Sequence, residues 1–462
     1  MLLMSSPLVR NDAILFGILI VILAVVFVTS HSDKPGWKKF YKYCPALLLC
    51  YFIPALFHWP LGLIDTDWID INGLKKVLDI PIPNIPHDEL KDHLLSQGVD
   101  NNTINRFSHH SQLYFVASRY LLIASLILLC LGIDLKSIIN LGPKALIMFL
   151  TGSLGIIIGG PIALLFVLKV APDILTSSPD DIWRGLSTVA GSWIGGGANQ
   201  TAMKEIYEVQ DDLFGTMLVV DILVANIWMG FLLYGANVTK RIDRWLKSDN
   251  NAIESLKERV EKYRKSNEKN PTVTDLFVLL AVAFGGVSIA HFLSDVITPF
   301  MQNYEATLTE IGLDSLMSGF FWLVVVATTF GVFLSFTKFK RLEGFGASKW
   351  GSIFIYILVA TIGMKMDLGE MFNNLGLFAV GFIWMLIHAA LLILVAKLIK
   401  APFFFVAVGS QANVGGAASA PVVAAAFSTS LAPVGVLLAV LGYAVGTYGA
   451  LICAELMKLI AT

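Results

Sequence analysis

Of the 462 residues, 56% are hydrophobic and 15% charged, and the mean hydropathy is +0.72; a soluble chain of this length needs far more charge to cover its surface. A formal net charge of −1 supplies no whole-protein field, which removes nucleic acid from the expected partners. Cys44, Cys50, Cys130 and Cys453 lie in or beside apolar runs without metal-ligand spacing, so they read as small core or lipid-facing residues and no metal is expected.

Segments apolar enough to cross a hydrocarbon core of ~30 Å fall at 13–29, 44–63, 113–133, 144–168, 212–236, 273–297, 313–336, 374–398 and 432–458, with a shorter one at 350–366. The first lacks a basic leader and a small-residue cleavage site, so it reads as a span rather than a removed signal peptide. Two more segments, 183–208 and 402–427, are apolar but interrupted by glycine and polar residues. The expected fold is an all-α polytopic membrane protein of about twelve transmembrane elements, because a helix satisfies its own backbone where lipid offers no partner.

Charge orients these elements. The stretches 31–43 (Lys34, Lys38, Lys39, Lys42), 237–272 (ten Lys/Arg) and 337–349 (Lys338, Lys340, Arg341, Lys349) are expected on the cytoplasmic side. The stretch 64–112, with eight acidic residues against four basic, is expected outside. Its His87, His93, His109 and His110 sit in a loop without ligand spacing. Residues 251–270 alternate charge at helical spacing and read as a surface helix linking the halves. Counting spans from 31–43 places 237–272 on the opposite side. Either one element is re-entrant or tilted, or the linker departs from the charge rule.

The halves resemble each other. "GIDLKSIINLGPKALIMF" from Gly132 aligns with "GMKMDLGEMFNNLGLFAVGF" from Gly363, matching Asp134-Leu135 to Asp367-Leu368 and Asn140 to Asn373. Each half then carries an interrupted segment, "GSWIGGGANQTAM" (191–203) and "GSQANVGGAASAPVV" (409–423), and one further apolar helix. Both segments begin Gly-Ser and hold a Gly-Gly pair with an Asn nearby. Lys136 and Lys144 flank one repeat where Lys397 and Lys400 follow the other at its far end, the pattern of inverted repeats. Six elements between equivalent spans would make them parallel unless one element does not cross.

Glycine in a helix costs roughly 1 kcal/mol against alanine, so Gly195, Gly196 and Gly197 together favour unwinding. Unwound backbone at membrane depth is tolerated where it lines a cavity or binds something, and paired broken helices in two halves point to a transporter site. Close packing explains isolated glycines but not the polar residues beside them. Ser192, Asn199, Gln200, Thr201, Gln411 and Asn413 are therefore expected to bind an ion, and Gly195, Gly196, Gly197, Ser410, Gly415, Gly416 and Ser419 to line the substrate path. Asp221, nine residues into the span 212–236, is an acid at membrane depth and is expected to bind the ion; Asn226, five residues on, is expected to join it. His388 reads chiefly as a structural histidine, Arg119 as a snorkelling residue, and Glu455 with Lys458 as an interfacial pair.

The pair "GSWIGGGAN" and "GSQANVGGAASAP" resembles the YjcL-like family of bacterial membrane proteins of unknown function over 113–236 and 350–458. More distantly it is similar to the superfamily of sodium/proton antiporters and bile-acid sodium symporters. That resemblance implies two discontinuous helices, 183–208 and 402–427, crossing at mid-membrane in a core domain that moves against a panel or dimerisation domain. It implies a panel in 1–112 and 273–349, repeats in 113–236 and 350–462, a charged linker at 237–272, and Asp221 where antiporters keep their acid. Val220 precedes Asp221, so the paired acid or amide of electrogenic exchangers is missing. The expected function is Na⁺- or H⁺-coupled transport of a small organic solute in a bacterial inner membrane, with a Na⁺/H⁺ antiporter as the alternative. Partners are then the solute or ion, the lipid bilayer and a second copy of the chain as a homodimer. No HExxH or Gly-x-Ser-x-Gly occurs, so neither an enzyme nor any cofactor beyond the coupling ion is expected.

Overall fold

Every one of the twelve expected segments carries helix, and local chemistry sets where each begins and ends. The computed structural model describes residues 7–41, 44, 46–78, 82–83, 87–133, 138–139, 141–248, 271–310, 313–365, 376–428 and 431–461. Asp134, Leu135, Lys136, Asn140, Asp367, Leu368 and Asn373 of the repeat signature, and the stretch 251–270, lie outside the described residues.

The elements are α1 (Asp12–Ser30), α2 (Pro35–Tyr41), α3 (Ala46–His58), β1 (Asp67–Ile69), α4 (Ile71–Leu74), α5 (His87–Ser96), α6 (Asn101–Phe107), β2 (Ser108–His110) and α7 (Leu113–Leu131, with a π turn at Ala117–Leu121). There follow α8 (Pro143–Val170), α9 (Pro179–Gly195), α10 (Gly197–Ile206), α11 (Asp211–Asn237) and α12 (Thr239–Leu246). The chain ends with α13 (Val273–Gln302), α14 (Glu305–Glu310), α15 (Gly319–Ser335), a 3₁₀ helix (Lys338–Phe345), α16 (Ala347–Gly363), α17 (Gly376–Leu398), α18 (Phe403–Val414), α19 (Gly416–Phe427) and α20 (Ala432–Ala461).

Among the described residues, seven helices are long and apolar enough to cross a membrane: α1, α7, α8, α11, α13, α17 and α20. An eighth results if α15 and the 3₁₀ helix, bent by 97°, count as one span. The other expected spans are short or broken. The segment 44–63 becomes the 13-residue α3, about 20 Å at 1.5 Å per residue. It ends because Trp59 precedes Pro60, which disfavours helix at that residue, and the chain then turns at Gly62 with φ 60°. The segment 350–366 becomes α16, with 17 residues.

Packing divides the chain into two units, Met1–Leu121 with Ile353–Met371, and Leu122–Ser352 with Phe372–Thr462. In the first, α1 packs on α3, and the Tyr41 hydroxyl pins α2 to α1 through Thr29 Oγ1 (2.6 Å) and the Val26 carbonyl (3.1 Å). The acidic stretch is not a bare loop. β1 and β2 pair antiparallel (Asp67↔His110, Trp68↔His109, Ile69↔Ser108), and Ile69, Leu74, Leu90, Leu94 and Ile104 form a small core beneath them. This modifies the all-α expectation, because strands of only three residues are too short to carry a periodic signal. His110 Nδ1 bonds Asp67 Oδ1 at 2.6 Å and His109 stacks on Trp68, so both histidines are engaged across the ribbon. No group of three metal-ligating side chains occurs among the described residues.

In the second unit, a bundle of α8, α9, α11, α17, α18, α19 and α20 encloses a core that runs from Phe149 through Leu392 and Phe404 to Leu438. Partners alternate between halves. α8 packs on α17 and α20, while α17 packs on α11; α9 packs on α20, while α18 and α19 pack on α11.

Candidate functional site

The first interrupted segment breaks where its glycines are. α9 ends at Gly195 and is capped by Gly196, whose φ of 77° and ψ of −173° lie in a region essentially closed to residues with a Cβ. The second breaks at Gly415, and Gly416 follows with φ 58°. Both N-caps of the restarted helices, Gly196 for α10 and Gly415 for α19, are glycines and give no side-chain cap to the first amides.

Helix α20 brings the two breaks together. A Cβ placed on Gly442 would lie 2.9 Å from the Ile194 carbonyl and 3.5 Å from the Ala412 carbonyl. One on Gly446 would press on Gly195 Cα and lie 2.7 Å from Asn199 Nδ2. Backbone atoms of both broken helices therefore converge on one stripe of α20. The glycines there serve close approach, which is also the role of Gly195.

Asp221 sits at this crossing, 5% exposed. Three side chains of the first broken helix donate to it: Ser192 Oγ to Oδ2 (2.6 Å), Gln200 Nε2 to Oδ2 (3.0 Å) and Trp193 Nε1 to Oδ1 (2.7 Å). All three donors are neutral, and two of them, the indole and the amide, can only donate through these atoms. The arrangement suits a carboxylate with one acceptor position left. Ser192 and Trp193 lie before the break and Gln200 after it, so the acid of α11 bridges both half-helices.

The two asparagines do something else, and they do it identically. Asn199 Nδ2 donates to the Gly195 carbonyl four residues back and to Tyr443 O, while its Oδ1 accepts from Thr447 Oγ1 (2.6 Å). Asn413 Nδ2 donates to the Gly409 carbonyl four residues back and to Phe149 O, while its Oδ1 accepts from Ser153 Oγ (2.6 Å). Each asparagine clasps its broken helix to a neighbour, α20 in one case and α8 in the other. The sequence alignment pairs them beside equivalent glycines, yet Asn199 follows its break and Asn413 precedes its own. What they share is the spacing Gly-x-x-x-Asn and a hydroxyl one helical turn beyond the carbonyl they hold.

The second half has no acid in the place of Asp221. Ser410 accepts from Trp228 Nε1 of α11 (2.8 Å) and lies 2.8 Å from His388 Nε2 of α17; His388 Nδ1 faces the Gly152 carbonyl at 3.0 Å. A carbonyl accepts only, so Nδ1 carries a proton, and Nε2 is left to the Ser410 hydroxyl, so both ring nitrogens are engaged. Asp221 and Trp228 are seven residues apart, two turns of α11, so one face of that helix touches both broken helices.

Other expected residues fall outside the Asp221 cluster. Thr201 Oγ1 donates to the carbonyls of Gly197 and Ala198 within its own turn, and Asn226 Nδ2 to Ile222 O of its own helix. Gln411 Nε2 donates to Ser419 Oγ (2.7 Å), tying the two sides of the second break directly, where Ser192 and Gln200 tie the first through Asp221. Glu455 accepts from the Tyr207 hydroxyl, and Lys458 lies over the Trp183 ring at 5.8 Å. Sequence reasoning missed Trp193, Thr447 and Ser153. The only signal for them was polar capacity inside glycine-rich apolar runs.

Two side-chain oxygens stand out by what they lack. Gln200 Oε1 and Gln411 Oε1 are buried without a hydrogen-bond partner, in residues that are 0% and 1% exposed. Buried polar atoms are almost always satisfied, and these two flank the two breaks.

A family model described as "Protein of unknown function (DUF819)" matches residues 95–460, most of the chain and both broken helices. The chain belongs to the DUF819 family. A relative named "Uncharacterized membrane protein YjcL", from Bacillus subtilis (strain 168), is 24% identical over 350 residues, covering 73% of this chain and 82% of that protein. Together with the seven apolar helices, this makes the DUF819 member described here a multi-pass membrane protein.

Proposed function

We propose that this protein is an ion-coupled secondary transporter in which the coupling cation, Na⁺ or H⁺, exchanges at Asp221. One observation carries the reading: a buried carboxylate receives three neutral donors from both halves of a broken helix and forms no ion pair among the described residues. An acid at that depth is costly unless a cation or proton visits it. The orphan oxygens of Gln200 and Gln411 support Na⁺, because they are uncommitted acceptors beside unwound segments of the kind whose backbone carbonyls coordinate such ions in transporters. The reciprocal packing of α8 with α20 and α17 with α11 supports two related repeats, with the crossing as their shared centre.

On this reading the bundle around the crossing is the moving core of an elevator-like cycle, and the cargo is a small organic solute. Residues 1–112 and 273–349 supply the panel, the location is the bacterial inner membrane, and the working form is a homodimer. The second reading, a Na⁺/H⁺ antiporter without organic cargo, is favoured by the single acceptor position left on Asp221, which suits one small cation or one proton at a time.

Protein reconstituted in liposomes holding a pH-sensitive dye separates these readings. Proton flux on a Na⁺ jump without solute supports the antiporter. Na⁺-dependent or pH-dependent thermal stabilisation without such flux supports the solute symporter. Absence of both in the wild type rejects coupling at this site.

His388 provides a contrasting expectation. His388→Ala removes a buried donor from Gly152 O and a hydrogen-bond partner from Ser410, a loss of about 1–3 kcal/mol. The melting midpoint in detergent should fall while the midpoint still responds to Na⁺ or pH. Loss of that response would make His388 part of the coupling machinery.

A further inference from the structure

At one end of α11 and α17 lies a groove of about 390 Å³, lined by Arg241, Ile242, Trp245, Ile393, Phe403 and Val406. Its floor is apolar and its rim is basic. Lys240, Arg241 and Arg244 are exposed along α12, Lys397 Nζ lies 4.2 Å from the Trp245 ring centroid, and Lys144 Nζ donates to the Lys400 carbonyl nearby. The acid within α12, Asp243, is engaged by the protein: its Oδ1 accepts from the Phe403 amide at 2.8 Å and its Oδ2 from Thr239 Oγ1 at 3.4 Å.

We infer that this groove binds one anionic glycerophospholipid, with its phosphodiester at Arg241 and Lys397 and its upper acyl segment on Ile393, Phe403 and Val406. Three observations converge on that occupant. The groove opens where two membrane-crossing helices end, which is the depth of a headgroup. Trp245, 54% exposed, has the amphipathic ring that settles at that interface. Basic pockets between transmembrane helices recognise anionic headgroups, and each basic residue strengthens that attraction roughly fivefold. A free phosphate would find the cations but leave the apolar floor wet.

The site also has a mechanical connection. Phe403 is the first residue of α18, the second broken helix, and Asp243 of α12 holds its amide. A lipid seated between α12 and α17 therefore presses on the element that anchors that half-helix.

The test uses the full chain purified in detergent and native mass spectrometry with phosphatidylglycerol and phosphatidylcholine of matched acyl chains. One retained phosphatidylglycerol, preferred over phosphatidylcholine by roughly tenfold or more, is the expected result. The double substitution Arg241→Ala with Lys397→Ala should bring the ratio close to one. Lys34→Ala with Lys39→Ala, basic residues elsewhere in the chain, should leave it unchanged. Ile393→Trp fills the floor and should lower retention of both lipids. Equal retention of the two lipids by the wild type overturns the inference. So does an unchanged preference in the double variant, full retention in Ile393→Trp, or displacement by millimolar inorganic phosphate, which would leave an anion site without lipid.

Discussion

Asp221→Asn should yield a folded protein that has lost its response to the coupling ion. The substitution removes the charge but keeps the shape, and the surroundings can absorb the change. An asparagine in this position presents an N–H where a carboxylate oxygen accepted, which sets it against a donor. The Gln200 amide can rotate, because its Oε1 has no other partner, and accept from the new N–H. The fold is thereby spared most of the cost of about 1–3 kcal/mol that an unmet buried donor carries. Cation binding has no such repair. Taking one member from a buried charge pair costs about 3–5 kcal/mol, which is a fall of roughly a hundredfold to several thousandfold in affinity. The expected result is a melting midpoint close to wild type without added Na⁺ and no rise on adding it, with ion-driven flux in liposomes down by the same order. An Asp221→Asn protein that still shows the Na⁺- or pH-dependent shift would place the coupling site elsewhere.

The second large effect is expected at Gly446. A Cβ there meets Gly195 Cα, Gly195 N at 2.8 Å and Asn199 Nδ2 at 2.7 Å. Two of these are backbone atoms of the first broken helix and cannot move aside as a side-chain tip does. Gly446→Ala must push α9 off α20 or strain both, and overpacking of this kind costs about 1–3 kcal/mol. It also pulls at the Asn199 clasp to Tyr443 and Thr447. A marked fall in melting midpoint and in yield of monodisperse protein is expected. Gly230→Ala on α11 supplies the control, since a Cβ at Gly230 meets nothing within 4 Å. Equal behaviour of the two variants would show that the crossing is looser than its geometry states.

Parts of this site were legible before any coordinates. The run Gly195–Gly197 and the pair Gly415–Gly416 mark the breaks because glycine weakens a helix locally, whatever surrounds it. Asp221 declares itself because an acid inside an apolar run is improbable without a purpose. The seven long helices follow from apolar length in the same way. The short α3 was overestimated because an apolar count runs through Pro60 and Gly62, which turn the backbone without lowering hydropathy. The β1–β2 ribbon was missed because strands of three residues are too short to show an alternation.

The chain of amino acids alone thus determined where helices form, where two of them must break, and that an acid is buried beside the first. Those are properties of a residue and its near neighbours. Only the tertiary structure decided that Ser192, Trp193 and Gln200 converge on Asp221. The same holds for Asn199 and Asn413, which clasp α20 and α8 rather than meet the acid, and for Ser410, which is tied to Trp228 and His388. These pairings join residues from 21 to 264 positions apart. They depend on the rotation and offset of one helix against another, which close packing of the whole bundle fixes and no local pattern encodes.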